Sequence, residues 1–345
     1  MKLLLVCEYW YGTGGWSYKG YLEQLGCEGQ VFDFRQPYFT TGASLPVISA
    51  ATRRISRRKM NAAFVRTVAD FRPDVVFFLK GETVYADAIR EVKEKYNPIL
   101  LQWYPDGPFN VENRNATRDS IASIPLFDIY YIYAKSLMQP LREAGAQRVE
   151  YLPFCYDPAM LQRPERISDE DSAKYATDVV FAGTWEPMRE WWLEKITEFD
   201  LSVWGNMWER VDERNPLRRL WKGNAVYGEE ISKLFAVSKI HLNFLREQNK
   251  DSHNVRTLEI PGYGGFLLTQ RSREQAEDLY VEGKEIACFD SVDELKEKIT
   301  YYLEHEDERL AIARAGYERA TAEHQAIHRL RRVIDDVNAL PGART

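Results

Sequence analysis

The chain has 345 residues, 45% of them hydrophobic and 28% charged, with a formal net charge of −6. That length exceeds what one hydrophobic core usually organises, so two domains of ordinary globular composition are expected. The acidic balance argues against a general nucleic-acid binder, whose phosphate-neutralising surface is normally basic. Four cysteines, far apart and without His or Cys neighbours at ligand spacing, argue against a zinc or disulfide framework.

Residues 2–7, Lys-Leu-Leu-Leu-Val-Cys, are too short a run for a signal peptide and read as a buried first strand. No stretch of about 20 apolar residues occurs, so no membrane span is expected; with reduced thiols, this predicts a cytoplasmic protein. Strands are expected at 2–7, 30–34, 74–80, 99–104, 128–133 and 148–152, alternating with amphipathic stretches as in a parallel sheet covered by helices. The loop Tyr11-Gly12-Thr13-Gly14-Gly15-Trp16-Ser17 has Ser17 where a dinucleotide fingerprint needs its third glycine. Gly14 and Gly15 still let backbone amides approach a substrate, unless the loop is only a turn. The basic run Arg53 to Lys59 reads as a solvated helix face rather than a nucleic-acid or lipid-headgroup patch. Asp106, in Tyr104-Pro105-Asp106-Gly107-Pro108, ends a hydrophobic strand at the edge where α/β sites cluster. It is a candidate general base or holder of an acceptor hydroxyl, with turn chemistry as the competing reading. Lys80-Gly81-Glu82 ends the preceding strand in a similar way.

The boundaries expected are a first Rossmann-like domain at 1–160, a polar linker at 161–177, a second Rossmann-like domain at 178–322, and a helical segment at 323–345 that is a candidate to cross back to the first. The fold class is thus α/β, two Rossmann-like domains facing across a cleft. In the second domain strands are expected at 178–183, 201–205, 225–228, 239–244, 265–270 and 286–289, and helices at 188–199, 229–237, 272–280, 292–304 and from 306 onward. Gly183-Thr184 follows that domain's first strand, and Arg189 lies about two helical turns on, where a guanidinium suits a diphosphate by bidentate hydrogen bonding. Asp251 to Gly265 holds an acid, an arginine and a glycine turn together. A helix starting near Asn254 presents free amides and its positive dipole end to an anion, with Arg256 adding charge. Glu259 lies inside that helix beside Leu258, Ile260 and Pro261, against the alternative of a surface pair with Arg256. The five histidines form no ligand pattern, and no metal site is expected. Trp185, Trp191, Trp192, Trp204 and Trp208 crowd this domain as core residues, or as a base-stacking platform.

These motifs resemble the nucleotide-sugar glycosyltransferases of the GT-B fold, in the group 1 or CgeB-like branch. The resemblance rests on Asp178-Val179-Val180-Phe181-Ala182-Gly183, Val226-Tyr227-Gly228, Asn254 to Gly265 and Leu267-Leu268-Thr269, with Arg72 to Val76, Trp103 to Pro108 and Tyr151-Leu152-Pro153 in the first half. In the wider retaining group a Glu, seven residues and a second Glu contact the donor, the second holding the ribose. Glu259 matches the second position and Asp251 stands at the first. The same group places an arginine and a lysine after the glycine of the second domain's first strand. Arg189 fits the lysine position and Thr184 replaces the arginine, so Arg256 is expected to supply the missing charge.

The resemblance implies a metal-independent, retaining transferase without cofactor. Its donor is a nucleoside-diphosphate sugar held by Gly183, Thr184, Arg189, Tyr227, Asn254, Arg256 and Glu259, with Asp251 against the sugar and Asp106 the base if the reaction inverts. Gly14 and Gly15 of the first domain are counted with the donor-binding residues, and the acceptor, a glycan, lipid-linked glycan, protein or small molecule, is expected mainly on the first domain. Peripheral membrane contact stays open. Two rival readings are a non-catalytic GT-B-like protein that binds a glycan or a partner protein, and a nicotinamide-dependent oxidoreductase. Only Asp33, at the end of the second strand, speaks for the last.

Overall fold

The computed structural model describes residues 1–36, 48–112, 115–160 and 164–341. It divides into two compact units, Met1–Pro153 with Ala326–Thr345, and Phe154–Gln325. Positions 161–163 of the expected linker and 342–345 of the terminal segment lie outside the described residues.

Each unit is built on a six-stranded, all-parallel sheet. In the first, β1 (Lys2–Cys7), β2 (Glu28–Asp33), β3 (Val75–Leu79), β4 (Ile99–Tyr104), β5 (Ile129–Ile132) and β6 (Val149–Tyr151) lie in the order β2-β1-β3-β4-β5-β6. Leu3 to Val6 and Val75 to Phe78 are buried because parallel strands are covered on both faces, which is why these runs read as continuously apolar. The helix Ala326–Asn338 belongs to this unit and packs on the helix Gly14–Tyr21. Its Asp336 takes Arg148 at 3.0 Å and the Tyr131 hydroxyl at 3.1 Å. Gly15 is a packing residue, since a Cβ there would run into Cys7 Sγ, whereas the same position on Gly14 is open.

The second unit contains β7 (Val179–Ala182), β8 (Leu201–Trp204), β9 (Trp221–Gly223), β10 (Ile240–Asn243), β11 (Leu267–Gln270) and β12 (Ala287–Phe289), ordered β12-β11-β10-β7-β8-β9. One face is packed by Phe181, Trp192, Trp208, Phe244 and Phe289, the other by Tyr175, Trp204, Phe235, Leu258 and Tyr263. Trp192, Trp204 and Trp208 are therefore core residues and offer no stacking face. The strand expected at 225–228 is absent. The sixth strand is Trp221–Gly223, and Tyr227 and Gly228 instead form the exposed entry to the helix Glu229–Val237, with Gly228 at φ 56°. The segment read as linker carries a helix, Asp169–Tyr175, capped by Ser168 and tied to Glu229–Val237 through Lys233–Asp171 at 3.3 Å and Tyr175–Glu230 at 2.9 Å. Three acids in its first turn made it look like linker, yet they suit a helix amino terminus.

Candidate functional site

In an open α/β sheet, ligands lie outside the carboxyl ends of the strands, at the point where successive connections leave in opposite directions. In the second unit that point lies between β7 and β10. Gly183 and Thr184 follow β7; Phe244 to Asn254 follow β10.

Gly183 is held tightly: its carbonyl accepts the Trp208 indole N–H at 2.8 Å, and a Cβ on it would meet Phe181 Cζ at 2.8 Å and Arg189 Nη1 at 3.4 Å. Pro187 opens the helix Pro187–Glu194, whose first turn turns Arg189 back over the strand end. There Arg189 Nη1 donates to the Thr184 carbonyl at 2.7 Å, and its guanidinium lies 5.5 Å from the Phe181 ring. Arg256, from the helix Val255–Gly262, reaches the same strand end, donating from Nε to the Ala182 carbonyl at 3.2 Å and from Nη1 to Glu259. A third cation, Arg246, comes from the loop after β10 and pairs with Glu186 at 2.6 Å.

Arg189 is the anomaly in this group. It is 8% exposed, has no carboxylate partner among the described residues, and its Nε has no hydrogen-bond partner. Burial pulls its pKa down to about 10, and Arg246 and Arg256 pull the same way against Glu186. A buried, still protonated guanidinium next to two more cations is a standing electrostatic cost, and an anion at the strand end relieves it.

The helix Val255–Gly262 begins at that position. Asn254 caps it with its side chain, accepting from Thr257 N–H at 3.3 Å, and Thr257 closes the capping box; Asn254 Nδ2 donates to Asn243 Oδ1 at 2.9 Å. The asparagine is thus anchored to β10, and the helix's amino-terminal amides are fixed at the strand edge. Buried Thr257, Thr269 and Gln275 continue the polar network beneath it, with Thr257 donating to Gln275 at 2.6 Å. Beside the Glu186–Arg246 pair opens a cavity of about 470 Å³ lined by Met188, Leu245, Gln270, Arg271 and Phe289, among others. That volume and its mixed apolar and polar lining match small-molecule pockets.

The structure therefore gathers Gly183, Thr184, Arg189, Asn254, Arg256 and Glu259 at one strand edge. Tyr227 is exposed on the same edge, in the loop after β9. Asp251 occupies an exposed turn ahead of the cap. Its neighbours turn inward instead: Ser252 donates to Glu274 at 2.7 Å and lies 3.0 Å from His253 Nδ1, while Phe154 N–H donates to His253 Nε2 at 3.1 Å. Asp106 and Gly14 and Gly15 are in the other unit, where Asp106 is ion-paired with Lys80 at 2.7 Å. Asp33 accepts from the Arg35 backbone at 2.9 Å and so caps a turn. In the basic run, Arg57 turns inward onto Asp119 at 2.9 Å and the Tyr85 ring, while Arg54, Arg58 and Lys59 are exposed. Arg246 and the cavity residues are absent from the sequence reading. The available signal was position: Arg246 is the first polar residue after the apolar end of β10. Among the described residues, no group of three or more His, Cys, Asp or Glu side chains is arranged to hold a metal ion, and no helix is long and apolar enough to cross a membrane.

The chain shares its fold and part of its sequence with known proteins. Residues 189–335 match the family described as glycosyl transferase-like. The fold is shared along nearly the whole chain with Anabaena HepE, solved with UDP-glucose, at TM-score 0.65 and 12% identity, covering 99% of this chain and 100% of that one. Sucrose-phosphate synthase of Thermosynechococcus elongatus gives TM-score 0.65 and 11% identity, over 98% of this chain and 99% of that one. The two parallel sheets thus share the two-domain fold of these proteins, and the matched segment of the second unit is glycosyl transferase-like. The chain is also similar to the spore protein CgeB of Bacillus subtilis, 22% identical over 296 residues, 81% of this chain and 88% of that one.

Proposed function

We propose that the chain transfers a sugar from a nucleoside-diphosphate sugar to an acceptor hydroxyl, with the diphosphate held at the β7/β10 strand edge. The observation that carries this reading is Arg189, a buried arginine with no carboxylate ion-pair partner among the described residues, beside Arg246, Arg256 and the capped helix amino terminus. In the reaction the bond between the anomeric carbon and the diphosphate oxygen breaks, and its electron pair leaves with the diphosphate. A new bond forms to the acceptor oxygen as that oxygen loses its proton. Charge grows on the departing diphosphate, where guanidinium groups fixed in advance stabilise it more than they stabilise the ground state. These cations do the work a metal does elsewhere, and the reading needs no cofactor.

Glu259 is assigned to the ribose. One of its carboxylate oxygens takes Arg256, and the other remains for a vicinal diol. The adjoining cavity is assigned to the base. HepE was solved with UDP-glucose, which makes uridine nucleotides the first donors to test. Retention, and contact of Asp251 with the sugar, rest only on the resemblance, in which Asp251 and Glu259 stand at the two acid positions; under inversion Asp106 is the base, and it must first give up Lys80.

The test is calorimetric titration with UDP, GDP, ADP and the corresponding sugar nucleotides, followed by assay of donor turnover. One nucleoside diphosphate should bind in the micromolar range, and Glu259→Ala should weaken it about 10-fold, the loss of a charged hydrogen bond. Failure of every nucleotide to bind, or affinity indifferent to Glu259→Ala, refutes the assignment.

A further inference from the structure

The helix Ile48–Phe71 of the first unit carries five arginines and one lysine, and its one acid is Asp70 in the last turn, in a chain whose formal net charge is −6. Its side chains sort by face. Met60, Asn61, Phe64 and Val68 are buried. Phe64 packs on Phe32 and Phe78 with ring centroids 5.7 and 5.6 Å apart, and Asn61 accepts the Tyr85 N–H at 2.7 Å while donating to the Arg57 carbonyl at 2.8 Å. These contacts fix one face against the sheet and so fix the opposite one outward. Arg54, Ile55, Arg58, Lys59, Ala62 and Arg66 are exposed there. At about 100° per residue they fall within an arc of about 140°, and from Arg54 to Arg66 they run about 18 Å along the axis.

A merely solvated helix face ordinarily interleaves both signs of charge. Other helices of this chain do so: Arg90 pairs with Asp87 and Lys95 with Glu91 on Ala86–Tyr96, and Arg314 pairs with Glu318 and Arg319 with Glu323 on Glu306–Glu323. On Ile48–Phe71 the arginine that finds an acid, Arg57, does so by turning inward to Asp119. Among the described residues, Arg54, Arg58, Lys59 and Arg66 have no carboxylate within ion-pair distance. Arg54 and Arg58 stand one turn apart, where like charges repel. The fold thus keeps an outward row of cations that its own acids do not neutralise.

Charge spread over about 18 Å is more than one phosphate or carboxylate can meet, and it calls for an extended anionic surface. Ile55 is 54% exposed between Arg54 and Arg58, with Ala62 two turns further along the same face. A bilayer containing anionic lipids answers both features: its headgroups take the guanidinium and ammonium groups, and its acyl boundary takes the apolar side chains between them. A nucleic-acid duplex supplies phosphates but no apolar layer for Ile55.

We propose that Arg54, Arg58, Lys59 and Arg66, with Ile55 between them, form a face by which the first unit rests on a bilayer containing anionic lipids, the helix lying in the plane of the headgroups. The attachment is electrostatic and reversible, and it is independent of the transferase reading.

The test is co-sedimentation of the full chain with vesicles of phosphatidylcholine alone and of phosphatidylcholine mixed with phosphatidylglycerol. The chain should pellet only with the mixed vesicles at about 0.1 M salt and be released at about 1 M, where the screening length falls from about 10 Å to about 3 Å. Arg58→Gln combined with Lys59→Gln should weaken partitioning about 25-fold, each charge at the surface being worth about a factor of five, and should leave the melting temperature unchanged because both side chains are exposed. Ile55→Ser should weaken it several-fold without altering its salt dependence. Arg214→Gln combined with Arg314→Gln removes two exposed cations of the second unit and should leave partitioning as it was. Equal binding to neutral vesicles, equal loss in the two double variants, or partitioning unmoved by Arg58→Gln with Lys59→Gln overturns the proposal. Tighter binding to duplex DNA than to the mixed vesicles would assign the face to nucleic acid and overturn it as well.

Discussion

Replacing Arg189 by methionine separates a binding residue from a structural one, because the two roles predict opposite changes. Lowering a guanidinium from its usual value to about 10 corresponds to about 3 kcal/mol of unfavourable interaction carried by the folded state at neutral pH. Below about pH 10 both folded and unfolded chains are protonated and the full penalty is present. Between there and the usual value the unfolded chain holds the extra proton, and stability rises with pH. Methionine fills a similar volume without charge, while giving up the bond to Thr184 and the Phe181 face. The net expectation for Arg189→Met is stabilisation of the ligand-free protein by about 1–3 kcal/mol, or about 2–4 °C in melting temperature per kcal/mol for a unit of this size. Nucleoside-diphosphate affinity should fall about 10–100-fold, the worth of one or two charged hydrogen bonds. Calorimetric titration with UDP and thermal unfolding without ligand measure both quantities. A variant that is less stable and binds normally would show that Arg189 serves packing and would refute the reasoning.

Arg256→Ala should slow single-turnover sugar transfer by about 100-fold or more, as loss of one preorganised donor to a developing anion does, and a full-rate variant would remove it from the mechanism. Gly205→Ala should destabilise the second unit by about 1–3 kcal/mol in urea unfolding and weaken diphosphate binding, since its Cβ would fall on the Gly183 carbonyl that Trp208 holds; unaltered stability would mean that this strand end is looser than it looks. Burial pushes the His241 imidazole down to about 4. Its stabilising contribution is present above the unfolded value of about 6.5 and is lost as pH falls through 4, about 3 kcal/mol in all. Unfolding curves at pH 7 and pH 4.5 should therefore diverge less for His241→Gln than for the parent chain, and equal divergence would contradict the assignment.

Much of this protein is legible along the chain because much of it is local. Five of the six second-unit strands announce themselves as short β-branched or aromatic runs, and Asn254 and Thr257 carry a capping box readable from their spacing. The exception, Trp221–Gly223, is short and half-exposed, so it lacks the apolar run that marks a buried strand, while Ala225 to Gly228 supplied a false one. Tyr227 and Gly228 belong to a helix entry that only neighbouring chain could define.

The two series of alternating strands and helices, the glycine turn after β7 and the single turn of helix that sets Arg256 beside Glu259 are all written in the order of residues along the chain. Those are consequences of period and propensity, and they act over a few residues. Strand order, and with it everything that depends on which strand ends are neighbours, came only with the tertiary structure. Arg256 reaches Ala182 across 74 positions, and Glu82 meets Arg35 across 47. No spacing rule encodes such pairs, because hydrogen bonding between non-consecutive strands chooses them. The burial of Arg189 without a carboxylate ion-pair partner among the described residues is of the same kind. In the sequence it stands before Glu190 and looks like solvent-facing helix, and only the packing of its helix on the end of β7 turns it into a buried charge.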